Sequence, residues 1–319
     1  MYDIIGDIHG YAKELKTLLE KLGYCQTRSG YHHPDRTAVF CGDFIDRGPE
    51  IPEVVHIVRQ MCDEGNALAV MGNHEFNALA FQTEDPEQRG KFLRPHSDRN
   101  LQQHDATLQQ FSPSELQSAL TWFQSLPVAI ETHSFRIVHA CWNSECLQQI
   151  NTALNQFGRF TPEFLKKAVC SGDQVFDAIE CVLKGPELAL PDGLFVTDKE
   201  GNRRKRIRIR WFDSPENQTW QTYALPQAVS LPANPVPQTA FASPYHAQER
   251  PVFIGHYWLQ DFPPKPLATN IACLDYSIAK DGWLCAYQFD GQLPLTADRI
   301  VSVPSRSQQQ MKHRSIDLG

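Results

Sequence analysis

The sequence lacks a long apolar stretch. Its 319 residues contain no run of about eighteen apolar residues, the least that a membrane-spanning helix needs. The opening segment, MYDIIGDIHG, also lacks the basic region, apolar stretch and small-residue cleavage site of a secretory signal. We therefore expect a cytoplasmic protein with no membrane partner.

A basic excess is absent too. The chain has 30 Lys and Arg residues against 37 Asp and Glu residues, a formal net charge of −7 and an isoelectric point near 5.9. This balance argues against a protein that coats nucleic acid, so stable nucleic-acid binding is not expected. A small nucleotide is still compatible as a substrate.

Paired cysteines are missing as well. None of the nine cysteines belongs to a C-x-x-C pair, and their number is odd. Without a secretory signal, this usage predicts reduced, mostly buried thiols.

The first 75 residues alternate between strand and helix patterns. Short apolar segments at 2–5, 37–41 and 67–71 are typical of buried strands, and apolar residues recur at helical spacing over 15–22 and 51–62. This order of strand, helix, strand, helix and strand predicts an α/β sheet. Further strands are predicted in the second half of the chain, at 135–138, 252–254, 271–274 and 284–289.

Each of the three early strands ends at a glycine followed by polar side chains. The motifs are GDIHG at 6–10, GDFIDRG at 42–48 and GNHE at 72–75. Glycine lets the backbone turn sharply, and ligand sites of open α/β sheets lie outside the carboxyl ends of the strands. The three motifs are therefore predicted to converge.

These side chains suit a bridged pair of divalent ions, in which one carboxylate contacts both ions. Asp7, His9 and Asp43 would hold the first ion, and Asp43 would bridge to the second. The second ion needs further ligands from later strand ends. The candidates for this second group are Asn73, His139 and His256.

Histidines at strand ends are commonly core residues, so a purely structural role for His139 and His256 is the alternative interpretation. His133 competes with His139 but lies in a polar turn before the strand. The other histidines lack a partner at metal spacing and are interpreted as surface residues. For His96 and His104, a lid that touches substrate is the alternative.

The charge balance favours phosphate chemistry. Two dications with two ligand carboxylates leave a charge of about +2, which suits a phosphate dianion. A hydroxide bridging the ions would attack phosphorus in line. His74 would protonate the leaving alkoxide, oriented by Asp46, and Arg47 would bind phosphate oxygens through its fork of donors.

The three motifs together resemble those of calcineurin-like metallophosphoesterases. The DRG ending at 46–48 resembles the phosphoprotein phosphatase branch, which includes Ser/Thr protein phosphatases and bacterial symmetrical diadenosine tetraphosphatases. The resemblance implies an α/β fold, a β-sandwich flanked by helices with a βαβαβ start, and a less regular insertion that covers the site. Two departures are HACW at 139–142, where protein phosphatases have HGGL, and GHYW at 255–258, where many relatives have Gly-His-x-His.

On this basis one catalytic domain is expected over 1–303. Insertions are expected at about 83–135, which begins with a polar surface excursion, and at 144–250. The polar tail over 304–319 is expected to be disordered.

A basic run at 203–210 is the second notable pattern. Its alternation places Arg206, Arg208 and Arg210 on one face of a strand. A solvated sheet face is one interpretation. Since the related phosphatases pair a downstream arginine with the one in the DRG motif, Arg208 is also a candidate for a second phosphate contact.

The expected function is hydrolysis of phosphomonoesters, with a phosphoprotein or a nucleotide as the phosphorylated partner. Mn²⁺ is the preferred ion, and a ligand set of oxygen and nitrogen also admits Fe, Zn or Co. Symmetrical hydrolysis of dinucleoside tetraphosphates is the alternative. A non-catalytic regulatory module on the same scaffold is the third hypothesis.

Overall fold

The computed structural model describes residues 1–197, 203–237 and 244–309. None of the helices within these ranges has both the length and the apolar character needed to cross a membrane. The strands are β1 Tyr2–Ile5, β2 Cys25–Thr27, β3 Gly30–His32, β4 Thr37–Phe40, β5 Ala67–Ala69, β6 Ala129–Glu131, β7 Arg136–Val138, β8 Glu187–Ala189, β9 Val196–Thr197, β10 Arg203–Arg204, β11 Arg206–Arg208, β12 Val252–Ile254, β13 Ile271–Cys273, β14 Asp275–Tyr276, β15 Trp283–Phe289 and β16 Ile300–Pro304.

The helices alternate with the early strands and then fill the middle of the chain. Short 3-10 turns follow at Ile278–Lys280 and Ala297–Arg299. The α-helices are α1 Ala12–Lys21, α2 Ile51–Asp63, α3 Asn73–Gln82, α4 Asp98–Gln110, α5 Pro113–Ser125, α6 Ser144–Phe157, α7 Pro162–Val169, α8 Gln174–Lys184 and α9 Trp220–Tyr223.

Two sheets form the centre of the fold. The first has the order β14-β15-β1-β4-β5, with β16 also paired to β15, and the second has the order β13-β12-β7-β6. Strands β1, β4 and β5 run parallel, as do β7, β12 and β13. The predicted α/β fold with a β-sandwich is therefore confirmed.

The sandwich is explained by apolar side chains on both faces of each strand. Successive residues of a strand point to opposite faces, and Ile4 and Phe253 belong to a core cluster shared by the two sheets. Their neighbours Ile5 and Ile254 belong to the larger cluster that includes the helices. Continuous apolar runs are what strands covered on both faces require.

The helical insertion packs on the same core. The large cluster includes residues from Ile5 to Val303, among them Ile150 of α6 and Val182 of α8. A smaller cluster, which includes Ile207 and Trp220, lies within the residues described between 188 and 236. The expected extent of the catalytic domain is compatible with these clusters and stays a prediction.

The tail was predicted to be disordered from residue 304, but its first residues contact the rest of the fold. Ser305 is buried, and Arg306 Nη2 donates to Glu14 Oε2 at 2.8 Å and to Glu50 Oε2 at 2.7 Å. These ion pairs bind the residues that follow β16 to α1 and to the start of α2. Residues 310–319 of the predicted tail lie outside the described residues.

Removal of the Arg306 guanidinium should destabilise the fold, because the Glu14 side chain is only 1% exposed and would lose its cation. We expect Arg306→Ala to lower the free energy of unfolding by about 1–3 kcal/mol, measured by urea denaturation. Arg299→Ala is the control, since its partner Asp290 is 24% exposed, and it should cost less than about 1 kcal/mol. Equal losses in the two variants would contradict this account.

Candidate metal centre

The predicted ligands lie in loops at neighbouring strand ends. Asp7 and His9 follow β1, and Asp43 follows β4, the parallel neighbour of β1. Asn73 begins α3 after β5, while His139 and His256 follow β7 and β12, which are paired in the second sheet. The structure therefore brings loops from both sheets to one edge of the sandwich.

The backbone of these loops turns through left-handed conformations. Positive φ angles occur at His9 (48°), Asp43 (56°), Asp46 (65°), Arg47 (73°) and His256 (69°). A non-glycine residue in this region costs of the order of 1–3 kcal/mol unless its surroundings hold it there. Such turns bring polar side chains back toward the sheet edge.

Glu75 holds two of the loops together, a role that the motif analysis did not assign. Its Oε2 accepts from the backbone N–H of Asp43 at 2.9 Å and of Gly72 at 3.0 Å, and its Oε1 accepts from Phe44 at 2.8 Å. The position of Glu75, three residues after the helix N-cap Gly72, is the capping-box position. That spacing is the signal that could have identified it.

Candidate ligand atoms for one ion meet where loops from the two sheets come together. Asn73 Oδ1 lies 3.1 Å from His139 Nε2 and 2.7 Å from His256 Nδ1, and Asp43 Oδ2 lies 3.4 Å from His139 Nε2. His139 Nδ1 donates to the Cys41 carbonyl at 2.7 Å, so the lone pair is on Nε2 whenever the ring is neutral. Although burial acts in the opposite direction, the Asp43 carboxylate raises the pKa of His139 in the absence of an ion. A cation among these facing acceptors would remove their repulsion.

The candidate ligand atoms of the other site, the one predicted for the first ion, surround His9. His9 Nδ1 donates to the Ile45 carbonyl at 2.9 Å, and Nε2 lies 3.6 Å from Asp43 Oδ2. Burial lowers the pKa of His9 to about 3, with a further contribution from His74. The neutral ring leaves Nε2 as a buried acceptor, and neither this atom nor Asp7 Oδ1 has a hydrogen-bond partner among the described residues.

The electrostatics of Asp7 also call for a cation. Burial, together with the carboxylates of Asp275 and Asp43, raises the pKa of Asp7 well above its ordinary value. Ionised Asp7 is therefore costly without a compensating positive charge. The buried acceptors and the donor types fit a pair of divalent ions, with Asp43 in both groups of ligand atoms.

One detail of the first site differs from the predicted set. The closely spaced group around His9 consists of His9, Asp43 and His74, within 4.8 Å of one another, and does not include Asp7. Asp7 Oδ2 instead accepts from the backbone N–H of His256 at 3.0 Å. Asp7 thus joins the loop after β1 to the loop after β12.

His74 and Asp46 form the predicted pair. His74 Nδ1 lies 2.5 Å from Asp46 Oδ2, while the other carboxylate oxygen accepts from His104 Nδ1 at 2.7 Å and from Thr107 Oγ1 at 2.5 Å. Both His104 and Thr107 belong to α4. The interpretation of His104 as a surface residue is wrong, because this helix lies against the site and buries the ring.

The other two histidines that were weighed lie away from the ligands. His133 is exposed in the turn before β7, so it does not compete with His139. His96 stacks on Phe81 and Phe92, with ring centroids 3.9 Å and 4.1 Å away, and is exposed.

Arg47 lies against an aromatic side chain that the motifs did not indicate. Its guanidinium carbon is 4.0 Å from the centroid of the Trp258 ring, and its buried Nε has no hydrogen-bond partner among the described residues. The backbone N–H of Trp258 donates to Asp275 Oδ2 at 2.7 Å. Trp258 follows the ligand candidate His256 by two positions, which is the only sequence signal for it.

Arg208 lies near the group of candidate ligands that contains His256. In β11 it alternates with Ile207 and Ile209, which are buried in the small insertion core, as the pattern predicted. Its Nε donates to the Lys184 carbonyl. Burial, and then the charge of Arg208, lower the pKa of His256 well below its ordinary value.

Comparison with known proteins agrees with this arrangement. A family model described as calcineurin-like phosphoesterase matches residues 2–167. The chain belongs to this family. Members of the calcineurin-like phosphoesterase family use a pair of divalent metal ions, and the His and Asp groups of this phosphoesterase fit such a pair.

Curated relatives match about a quarter of the chain. This phosphoesterase is 49% identical over 74 residues to an asymmetrical bis(5'-nucleosyl)-tetraphosphatase of Halalkalibacterium halodurans, and 44% identical over 75 residues to the enzyme of the same name from Bacillus subtilis. Each match covers 23% of this chain and 30% of the relative. The chain thus spans about a third of the length of these relatives.

A solved structure of a cold-active protein tyrosine phosphatase is similar over most of the chain. The TM-score is 0.52 at 17% identity, and the match covers 96% of this phosphoesterase and 79% of that protein. At this identity the likeness shows the fold alone.

Replacement of the shared carboxylate tests the two-ion arrangement. We expect Asp43→Asn to weaken Mn²⁺ binding by about 10–100-fold or more, because it removes the negative charge common to both ligand groups. Isothermal titration calorimetry on metal-free protein measures this change. Asp105→Asn, on the exposed face of α4, is the control, and unchanged binding of two ions in Asp43→Asn would refute the bridging role.

Proposed function

We propose that the chain is a dinuclear metal-dependent phosphoesterase that hydrolyses phosphomonoesters. The observation that carries the proposal is the set of buried candidate ligand atoms on His9, Asn73 and His139 around Asp43. Asp7 Oδ1 is buried as well and has no hydrogen-bond partner among the described residues. A pair of divalent ions bound there would supply positive charge to phosphate oxygens and convert water into a nucleophile at neutral pH.

His74 is proposed to protonate the leaving oxygen. Its Nδ1 is engaged by Asp46 at 2.5 Å, so Nε2 is the ring atom that can carry a proton toward the substrate. Nε2 lies 3.9 Å from Asp43 Oδ2, beside the proposed position of the ions. The negative charge of Asp46 would stabilise the protonated ring, as a general acid requires.

Two arginines are proposed to bind the phosphate. Arg47 follows Asp46 directly and has a buried Nε with no partner among the described residues, which leaves a donor for an anionic ligand. Arg208 acts on His256 through its charge and would face the phosphate from the side of the insertion. Trp258 would hold the Arg47 guanidinium plane by cation–π contact.

Mn²⁺ is the proposed ion because the ligands are carboxylate, amide and imidazole groups without a thiolate. Such a set also accepts Fe, Zn and Co. The buried thiol of Cys41, whose carbonyl accepts from His139, has its pKa raised well above its ordinary value by burial, so it would stay protonated.

A dinucleoside tetraphosphate is the second candidate substrate. It is favoured by the 49% identity over 74 residues to a bis(5'-nucleosyl)-tetraphosphatase. That relative is named asymmetrical, whereas the resemblance of the motifs suggested symmetrical cleavage. That match covers 23% of this chain and 30% of the relative.

A single assay series separates these candidates. The Mn²⁺-loaded protein is given p-nitrophenyl phosphate, a phosphopeptide and diadenosine tetraphosphate, and nucleotide products are separated by chromatography. We expect kcat/KM for the monoesters to exceed that for the dinucleotide by about tenfold or more, which is about 1.4 kcal/mol in transition-state binding.

Each other outcome has a distinct meaning. Preferred cleavage of the dinucleotide would overturn the monoester assignment, and the products would identify the cleavage as symmetrical (two ADP) or asymmetrical (ATP and AMP). Turnover of none of the three substrates would favour the non-catalytic regulatory module. Turnover that persists after removal of all metal would refute the proposed mechanism.

Removal of the proposed acid should depend on the leaving group. We expect His74→Ala to slow phenyl phosphate by roughly 10²–10⁴-fold and p-nitrophenyl phosphate far less, because nitrophenolate leaves without a proton. His56→Ala, an exposed histidine of α2, is the matched control. Equal slowing of the two esters would mean that His74 is not the acid.

A further inference from the structure

We propose that His104 is a positioning residue that fixes the Asp46 carboxylate and, through it, the ring of His74. The inference rests on the proposed role of His74 as general acid. It assigns a function in the site to α4, which lies in the region that the motifs do not cover.

The two oxygens of Asp46 have separate partners. Oδ2 is engaged by His74 Nδ1, and Oδ1 accepts from His104 Nδ1 at 2.7 Å and from Thr107 Oγ1 at 2.5 Å. The backbone N–H of Asp46 in turn donates to Thr107 Oγ1 at 3.0 Å. The carboxylate is therefore held at both oxygens and at its own backbone, and its plane cannot rotate without breaking a hydrogen bond.

The support matters because Asp46 has an unfavourable backbone conformation. Its φ angle is 65°, and its side chain is 3% exposed. With the single contact to His74, the carboxylate would be free to turn about its side-chain bonds. Displacing a general acid by about an ångström can slow a reaction by two orders of magnitude. The donors on α4 therefore help to set the position of the His74 ring.

Helix α4 is itself fixed to the motif that carries Asp46. His104 and Thr107 are three residues apart and thus share one face of the helix. At the end of α4, Gln110 Nε2 donates to the Gly48 carbonyl at 2.8 Å, and Gln110 Oε1 accepts from the Ile51 backbone at 2.8 Å. Helix α4 therefore contacts the loop between β4 and α2 at Asp46, at Gly48 and at the start of α2.

The ring of His104, which includes its second nitrogen Nε2, adjoins a small cavity. Nε2 is buried and has no hydrogen-bond partner among the described residues. A cavity of about 10 Å³ adjoins the ring and is lined also by Asn77, Arg94 and Gln103. That volume suits one water molecule with several polar partners, which would leave Nδ1 as the donor to Asp46.

Two substitutions separate positioning from mere packing. Asparagine can place its amide N–H where His104 Nδ1 lies, whereas alanine has no donor. With Mn²⁺-loaded protein we expect His104→Ala to lower kcat for phenyl phosphate by about 10–100-fold and for p-nitrophenyl phosphate by less than about threefold. His104→Asn should recover most of the loss, and Gln102→Ala, exposed on the same helix, should be neutral.

A double substitution checks that the effect passes through His74. In the His74→Ala background, His104→Ala should cause no further loss, because residues that act as a unit are not additive. Equal slowing of both esters by His104→Ala, or a full additional loss in the double variant, would overturn the proposal.

A spectroscopic readout works even without turnover. In ¹H–¹⁵N spectra of histidine-labelled protein, the His74 Nδ1 proton that is bonded to Asp46 should be sharp in the wild type and in His104→Asn. It should be lost or shifted in His104→Ala, and an unchanged signal would overturn the inference. If the wild type hydrolyses neither ester, the proposed function fails, while this signal still decides whether His104 positions His74.

Discussion

The buried carboxylate of Glu75 is the interaction on which the geometry of the site depends. It accepts from backbone N–H groups of two loops, those of Asp43 and Phe44 after β4 and that of Gly72 after β5. The backbone N–H of Ile45, 3.3 Å from Oε1, is a fourth donor. Without the carboxylate these four buried donors would lose an acceptor, at a cost of about 1–3 kcal/mol each. The bond also fixes the spacing between Asp43 and Asn73, which come from adjacent parallel strands.

This arrangement places negative charges close together. Asp7, Asp43, Asp46, Glu75 and Asp275 are all buried, and the carboxylates of Asp43 and Asp275 raise the pKa of Asp7. Without cations beside them, such carboxyl groups have raised pKa values, as Asp7 does and as Glu75 does at about 7. Divalent ions bound at this edge of the sandwich would compensate the negative charge. They would also separate the acceptor atoms that face one another there.

The sequence predicted the parts of the structure that depend on local pattern. Strands β1, β4, β12 and β15 were located within about two residues, since continuous apolar runs bounded by glycine identify covered strands. The polar residues after them were placed by the rule that ligands gather at the carboxyl ends of parallel strands. The roles of the residues at these positions remain proposals.

What the sequence did not predict depends on contacts between distant segments. His104 lies 58 positions from Asp46. The sequence of its helix is largely polar, so it does not indicate that one face is buried against the site. The backbone N–H of Trp258, in the loop after β12, donates to the side chain of Asp275 in β14. No periodicity encodes these pairings, because they are set by the way insertion and sheet pack. The tail was misjudged for a related reason: the partners of Arg306 are 292 and 256 positions away.

The left-handed backbone at the site limits which residues can occupy it. Asp43 and Asp46 both have positive φ angles, a conformation that asparagine adopts readily and that β-branched residues avoid. These positions are therefore constrained twice, by the atoms that the side chain must present and by the turn that the main chain must make. An inactive variant made to hold a bound substrate would best carry asparagine at position 46, since valine or isoleucine would deform the loop on which substrate binding depends.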